Sequence, residues 1–114
     1  MKVLFYATYP NQGIGYSKIG NKISNFLAEK GNEVVYFGIS NFKNDTTKRV
    51  DRYIHPSIRF IDAVDEEYKL GNHEEYYGVN IFTSKIEEEK PDIIFIYNDI
   101  IVISRLLFQL EEYL

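Results

Sequence analysis

Apolar residues in this chain fall into two kinds of run. Short continuous runs occupy Val3 to Ala7, Glu33 to Ile39 and Asp92 to Tyr97, the last containing Ile93-Ile94-Phe95-Ile96-Tyr97. Runs of about four to eight residues, rich in β-branched and aromatic side chains, fit strands buried on both faces. Between them the spacing becomes helical. From Tyr16 to Lys30, Ile19, Ile23, Phe26 and Leu27 fall at i, i+4, i+7 and i+8, one apolar stripe of the kind that faces a core, with Lys18, Lys22, Asn25 and Glu29 off it. Gly31 suits the left-handed residue that closes such a helix. A second helix is predicted from Tyr77 to Lys90, with Ile81, Phe82 and Ile86 inward and Glu87, Glu88 and Glu89 outward, stopped by Pro91. Ile103, Leu106, Leu107, Leu110 and Leu114 predict a last helix. In the middle third, Ile58 to Ala63 reads as a strand after Pro56, Ser40 to Arg52 as a polar loop, and Val64 to Glu75 as an acidic, irregular segment.

Alternating strands and helices predict an α/β chain: one Rossmann-like domain over residues 1–114, an open, mainly parallel sheet of about four strands with flanking helices. The first strand, helix and second strand form one βαβ unit with a right-handed crossover. Ligands of such sheets bind at the carboxyl ends of the strands, beside the point where strand order reverses. Here those ends are the loop from Thr8 to Gly15 and the turn Asn98-Asp99. They face one crevice if the first and fourth strands are neighbours.

Composition narrows the function classes. The chain is 45% hydrophobic with ten Tyr and eight Phe, too apolar for disorder. Its net charge of −4 and the lack of a basic run argue against nucleic acid as a partner. Without Cys there are no disulfides, thiolate metal sites or Cys nucleophiles. No apolar segment reaches membrane-spanning length, and the opening run is too short for a signal peptide, so a cytoplasmic location is expected. His55 and His73 lie eighteen positions apart with no metal-site spacing. The acidic clusters Asp65-Glu66-Glu67, Glu74-Glu75 and Glu87-Glu88-Glu89 read as solvated faces.

Gly13-Ile14-Gly15-Tyr16-Ser17-Lys18 leads into a helix N-terminus, where backbone N–H groups and the helix dipole favour an anion such as a diphosphate. Lys18 adds a charge. The blander reading is that the glycines only make a turn and Ser17 only caps the helix. A dinucleotide fingerprint is incomplete, because Lys18 stands at the third glycine position and Gly38-Ile39-Ser40 stands where a ribose-binding acid belongs. A Walker-type loop is absent. Asp99 suits either a general base for an incoming hydroxyl or the cap of the last helix, and the two roles are compatible.

Three segments of this chain resemble the N-terminal domain of GT-B-fold, family 4 retaining glycosyltransferases, above all those of large DNA viruses. They are Lys2 to Tyr6 with Gly15-Tyr16-Ser17-Lys18; Asn32-Glu33-Val34-Val35-Tyr36-Phe37-Gly38-Ile39; and Lys90-Pro91-Asp92-Ile93-Ile94-Phe95-Ile96-Tyr97-Asn98-Asp99, followed by Ile101-Val102-Ile103. The resemblance leaves out roughly residues 41–76. It implies a two-domain enzyme with a nucleotide-sugar donor and no metal requirement. Gly13, Gly15, Tyr16, Ser17 and Lys18 would line the donor-phosphate side. Asn98 and Asp99 would line the acceptor side, where a glycan or other hydroxyl acceptor sits.

The family's donor-binding half, with its Glu-x7-Glu motif, has no counterpart among these residues, and Glu111-Glu112 is not that motif. The resemblance therefore implies a shortened form, inactive in transfer by itself and in need of a C-terminal donor-binding partner. The alternative is a non-catalytic binding or assembly module that keeps the fold. A strand at Ile93 to Tyr97 with an open, apolar outer edge also predicts self-association through that edge or the last helix.

Overall fold

The computed structural model describes residues 1–42 and 47–113. Part of the predicted loop from Ser40 to Arg52, including Asp45, and the last position of the final apolar stripe, Leu114, lie outside the described residues. The elements run β1 (Lys2–Thr8), α1 (Gly15–Glu29), β2 (Glu33–Ile39), β3 (Arg59–Asp62), α2 (Ala63–Lys69), α3 (Phe82–Glu89), β4 (Ile93–Ile96) and α4 (Ile100–Tyr113). The strands form one sheet in the order β3-β2-β1-β4, and every pairing is parallel. The predicted α/β sheet of four strands is therefore present, with the first and fourth strands side by side.

Each face of the sheet has its own core. Leu4, Tyr6, Val35 and Phe37 point to one side and meet Phe82 of α3 and Val102, Leu106 and Leu110 of α4. Val3, Phe5, Val34 and Tyr36 point to the other side, under α1. The alternation follows from the two-residue period of strands. Aromatic rings fill both layers: Phe5 stacks on Phe95 at 5.0 Å, and Phe82 meets the rings of Tyr6 and Phe37 edge-on at 5.1 and 5.0 Å.

Four expectations need correction. The face of α1 against the sheet is Ser17, Gly20, Asn21, Ser24 and Ala28, not the apolar stripe. The reason is volume. Large rings on the sheet leave room only for small residues, and a Cβ added at Gly20 would lie 3.0 Å from the Tyr36 hydroxyl and 3.2 Å from Ala7 Cβ. The apolar stripe turns sideways instead: Ile23 and Leu27 pack at the margin, while Ile19 and Phe26 stay exposed.

The acidic segment after Ile58–Ala63 is not irregular but contains α2, capped by Asp62, whose carboxylate accepts from the N–H groups of Val64 and Asp65 at 3.1 and 3.3 Å. Glu67 within it is fully buried. Its carboxylate accepts from the Asn72 side chain at 2.9 Å and from the Asn80 N–H at 3.2 Å, so a charged residue serves as a core tie rather than a solvated face.

The second helix begins at Phe82 rather than Tyr77. Gly78 sits at φ +64°, and a side chain there would press on the Phe37 ring at 2.6 Å. Finally, Glu89 is not outward. Its side chain is only 12% exposed, paired with Arg59 and, at 3.2 Å, with Lys2. Hydrogen bonding from Arg59 holds its carboxyl below the ordinary value.

Candidate functional site

The carboxyl ends of β1 and β4 do meet. Asn98 donates from Nδ2 to the Thr8 hydroxyl at 2.9 Å, and Tyr97 N–H donates to the Tyr6 carbonyl at 2.9 Å. Above them starts α1. Its first intrahelical bond runs from Lys18 N–H to the Ile14 carbonyl at 3.2 Å, so the N–H groups of Gly15, Tyr16 and Ser17 precede the ladder. The N-cap residue is Ile14, which offers no side-chain cap, and no acidic residue stands in the first turn. Gly15 has open space where a Cβ would stand. This end of the helix retains its partial positive charge without an internal anion to satisfy it.

Ser17 is buried, but it does not cap the helix. Its hydroxyl turns to the carbonyl oxygens of Gln12 and Ile14, the latter at 2.7 Å. Arg52 approaches the same hydroxyl oxygen at 3.5 Å and also donates to the Pro10 carbonyl at 3.0 Å. Ser17 and Arg52 thus fix the loop that leads into α1. Lys18 is exposed and makes no ion pair among the described residues.

The two glycines of the loop do different work. A Cβ on Gly13 would collide with the Lys48 carbonyl. That contact belongs to a short antiparallel bridge, Gln12 with Arg49, supported by the Val50 N–H donating to the Asn11 carbonyl at 2.9 Å. Gly13 is therefore small because a Cβ there would meet the Lys48 carbonyl, whereas Gly15 has open space in the same direction; both are exposed. Sequence spacing makes the two look equivalent; the later segment that meets one of them carries no local signal.

Asn98 and Asp99 are joined but differently engaged. Asp99 accepts from the Val102 N–H at 3.0 Å and caps α4, so the capping half of its expected role is met. Asn98 faces Thr8. Tyr97 and Thr8 were not singled out from sequence, yet both belong to the crevice. Tyr97 meets Tyr16 edge-to-face with centroids 5.8 Å apart. Tyr16, Tyr97, Ile14, Gly15 and Ile19 line an open groove of about 500 Å³. The residue order Ile96-Tyr97-Asn98 was the available signal: an aromatic just past the last strand residue sits at the carboxyl end of the sheet.

A second, narrower hollow of about 220 Å³ lies on the other side of the loop, lined by Thr8, Gln12, Gly13, Ile14, Ser40, Phe42 and Lys48. Its floor is a closed amide network. Asn41 accepts from Gln12 and Asn11 at 3.4 and 3.3 Å and donates to Asp62 at 2.7 Å. Beneath it, Tyr36 donates its hydroxyl proton to the Thr8 carbonyl at 2.5 Å. Burial, helped by the nearby Tyr9, pushes the Tyr36 phenol far above its ordinary pKa, so it stays a neutral donor. The Tyr6 phenol is raised in the same way, by burial and then by Glu75, and donates to the Tyr77 carbonyl at 2.7 Å.

The histidines stand apart in role. His55 hydrogen-bonds with Ser57, and the His73 ring stacks on Tyr68 at 4.1 Å. Among the described residues no group of three or more His, Asp or Glu side chains comes together as a metal site, and no helix is long and apolar enough to cross a membrane. No protein-family model matches this chain, and no curated protein is significantly similar to it.

Proposed function

We propose that this domain is the acceptor-side half of a nucleotide-sugar-dependent glycosyltransferase, working with a donor-binding domain that closes over the crevice at the ends of β1 and β4. The observation that carries the reading is the open first turn of α1: the exposed Gly15 and Tyr16 with N–H groups ahead of the ladder, no side-chain cap and no Cβ at Gly15, beside Tyr97 and Thr8. A donor diphosphate suits that turn, which offers backbone donors and a positive dipole end. Tyr16, Ser17 and Lys18 flank it, with Ser17 acting through the loop it holds and Lys18 by charge alone. Gly13 lets the loop keep its shape.

An acceptor hydroxyl suits the other wall. Asn98 has donor and acceptor capacity beyond its bond to Thr8, and the Tyr16 and Tyr97 rings offer a face on which a sugar ring can lie. Asp99 orients this wall by capping α4; its carboxylate remains a candidate base because a cap uses only one of its oxygens. The chemistry asked of these residues needs no metal of their own. A non-catalytic binding module is the second reading, favoured by the packing of Gly13 on the Lys48 carbonyl, which gives that glycine a structural reason apart from any ligand.

Calorimetric titration of UDP- and GDP-sugars and of simple glycan acceptors separates the two readings, first with this chain and then with a donor-binding domain added. The transferase reading expects weak nucleotide binding by the chain and transfer only with both parts. Absence of nucleotide and glycan binding in both settings overturns it.

A further inference from the structure

The two edges of the sheet are built differently. The β3 edge reads Arg59-Phe60-Ile61-Asp62, a short strand that begins and ends on a charge, with Arg59 held by Glu89. That is how natural sheets protect an edge from pairing. The β4 edge reads Ile93-Ile94-Phe95-Ile96, with no charge, no proline and no glycine. Among the described residues β4 pairs with β1 alone, so alternate N–H and C=O groups on its outer side have no ladder partner.

The helices beside this edge carry apolar side chains to match. Asn21 and Asn25 of α1 hold the Tyr53 carbonyl on the β3 side, at 3.0 and 2.9 Å. At about 100° per residue, Tyr16, Ile23 and Leu27 then lie toward the β4 side, as the contact of Tyr16 with Tyr97 requires, while Ile19 and Phe26 point away from the sheet. On the other layer Arg105 of α4 reaches back to Glu75 at 3.3 Å, which turns Ile100 and Leu107 toward the open edge.

We infer that β4 is an interface strand, and that its occupant is the β4 of a second copy, paired antiparallel about a two-fold axis perpendicular to the sheet. Ile94 then stands opposite its own counterpart, and Ile93 opposite Phe95 of the other copy, so each layer meets its like. The sheet becomes eight strands, with α1 beside α1 and α4 beside α4.

The apolar area at this edge comes close to that of a pair. Tyr16, Ile93, Ile94, Ile100 and Leu107 are between 38% and 78% exposed. Their exposed parts amount to about two and a half whole side chains, on the order of 500 Å² at about 200 Å² for each large side chain, and the partly exposed Ile23 and Leu27 add to it. Stable pairs bury about 600–1,000 Å² on each partner. An apolar strand without charge is also self-complementary, which a two-fold interface demands. This inference does not rest on the transferase reading.

Light scattering coupled to size exclusion, over a range of concentrations, tests it. The expected mass is twice the 13.4 kDa of the chain. Ile94→Lys and, separately, Leu107→Glu should each return the single-chain mass; Leu107→Glu lies on an exposed helix face and should keep native circular dichroism if Ile94→Lys does not. Arg59→Lys at the opposite edge should leave the pair intact. A single-chain mass at every concentration overturns the inference, including one that rises only when a foreign strand peptide is added. So does a pair that survives Leu107→Glu with native circular dichroism, or open-ended growth beyond two copies.

Discussion

Asn98 at the end of β4 donates to the hydroxyl of Thr8 at the end of β1, 2.9 Å away and ninety positions earlier in the chain. This bond joins the two strands whose adjacency creates the crevice, and Thr8 lines one hollow with Ile14, the N-cap of α1. It is the point where sheet topology becomes site geometry. Removing either partner should cost about 1 kcal/mol, and the double substitution Thr8→Val with Asn98→Ala should cost clearly less than the sum of the single ones. Denaturant unfolding of the four chains measures the coupling.

Asp99 has a structural duty that can be separated from a chemical one. Asp99→Ala should lose about 1 kcal/mol of stability with the cap of α4. Asp99→Asn should keep the cap and nearly all of that stability, since Asn caps about as well as Asp. In a complete enzyme, a large fall in turnover for Asp99→Asn would mark the carboxylate as a base; unchanged turnover would leave it as a cap alone.

Gly13 and Gly15 should respond in opposite ways. Gly13→Ala forces the loop off Lys48 and should destabilise by about 1–3 kcal/mol. Gly15→Asp should fold at least as well, because an acid at the first turn gains about 0.3–1 kcal/mol from the helix dipole. The same change should abolish binding of pyrophosphate or UDP, because the new carboxylate repels the ligand from the N–H groups. Thermal melts and calorimetry on the two variants check both halves.

Glu89 supplies a pH signature away from the site. Its hydrogen bond from Arg59 lowers its carboxyl pKa below the ordinary 4.5. A lowered pKa in the folded state stabilises the fold above the unfolded value and loses that contribution as pH falls through the folded one. Stability from this residue is therefore complete above about 4.5 and declines below it. Glu89→Gln should flatten that part of the acid limb, and its difference from the parent chain should vanish at low pH. Both chains' unfolding midpoints between about pH 2 and 7 give the comparison.

The sequence carried the sheet because continuous apolar runs report burial on both faces, and β2 was legible to its limits, Glu33–Ile39. The orientation of α1 was not legible. Periodicity finds an apolar stripe, but it cannot tell that the rings of Phe5 and Tyr36 already occupy the space beneath, so that Gly20 and Ser24 must face them. Helix α2 was missed because its signal, Asp62 as a cap with Glu67 inward, looks like solvated acid until Asn72 and Asn80 are seen to enclose it. In the site, Asn98 and Asp99 stood out as the polar end of an apolar strand. Thr8 and Tyr97 did not, because each gains its place from a partner about ninety or eighty positions away.

The proposed seat of the donor diphosphate is the open turn of α1. Amide chemical shifts of the labelled chain during titration with pyrophosphate, UDP and GDP test it most directly. Saturable shifts are expected at Gly15, Tyr16 and Ser17, lost in Gly15→Asp. An absence of saturable shifts at ligand concentrations on the order of 10 mM, or shifts confined to other parts of the chain, would contradict it.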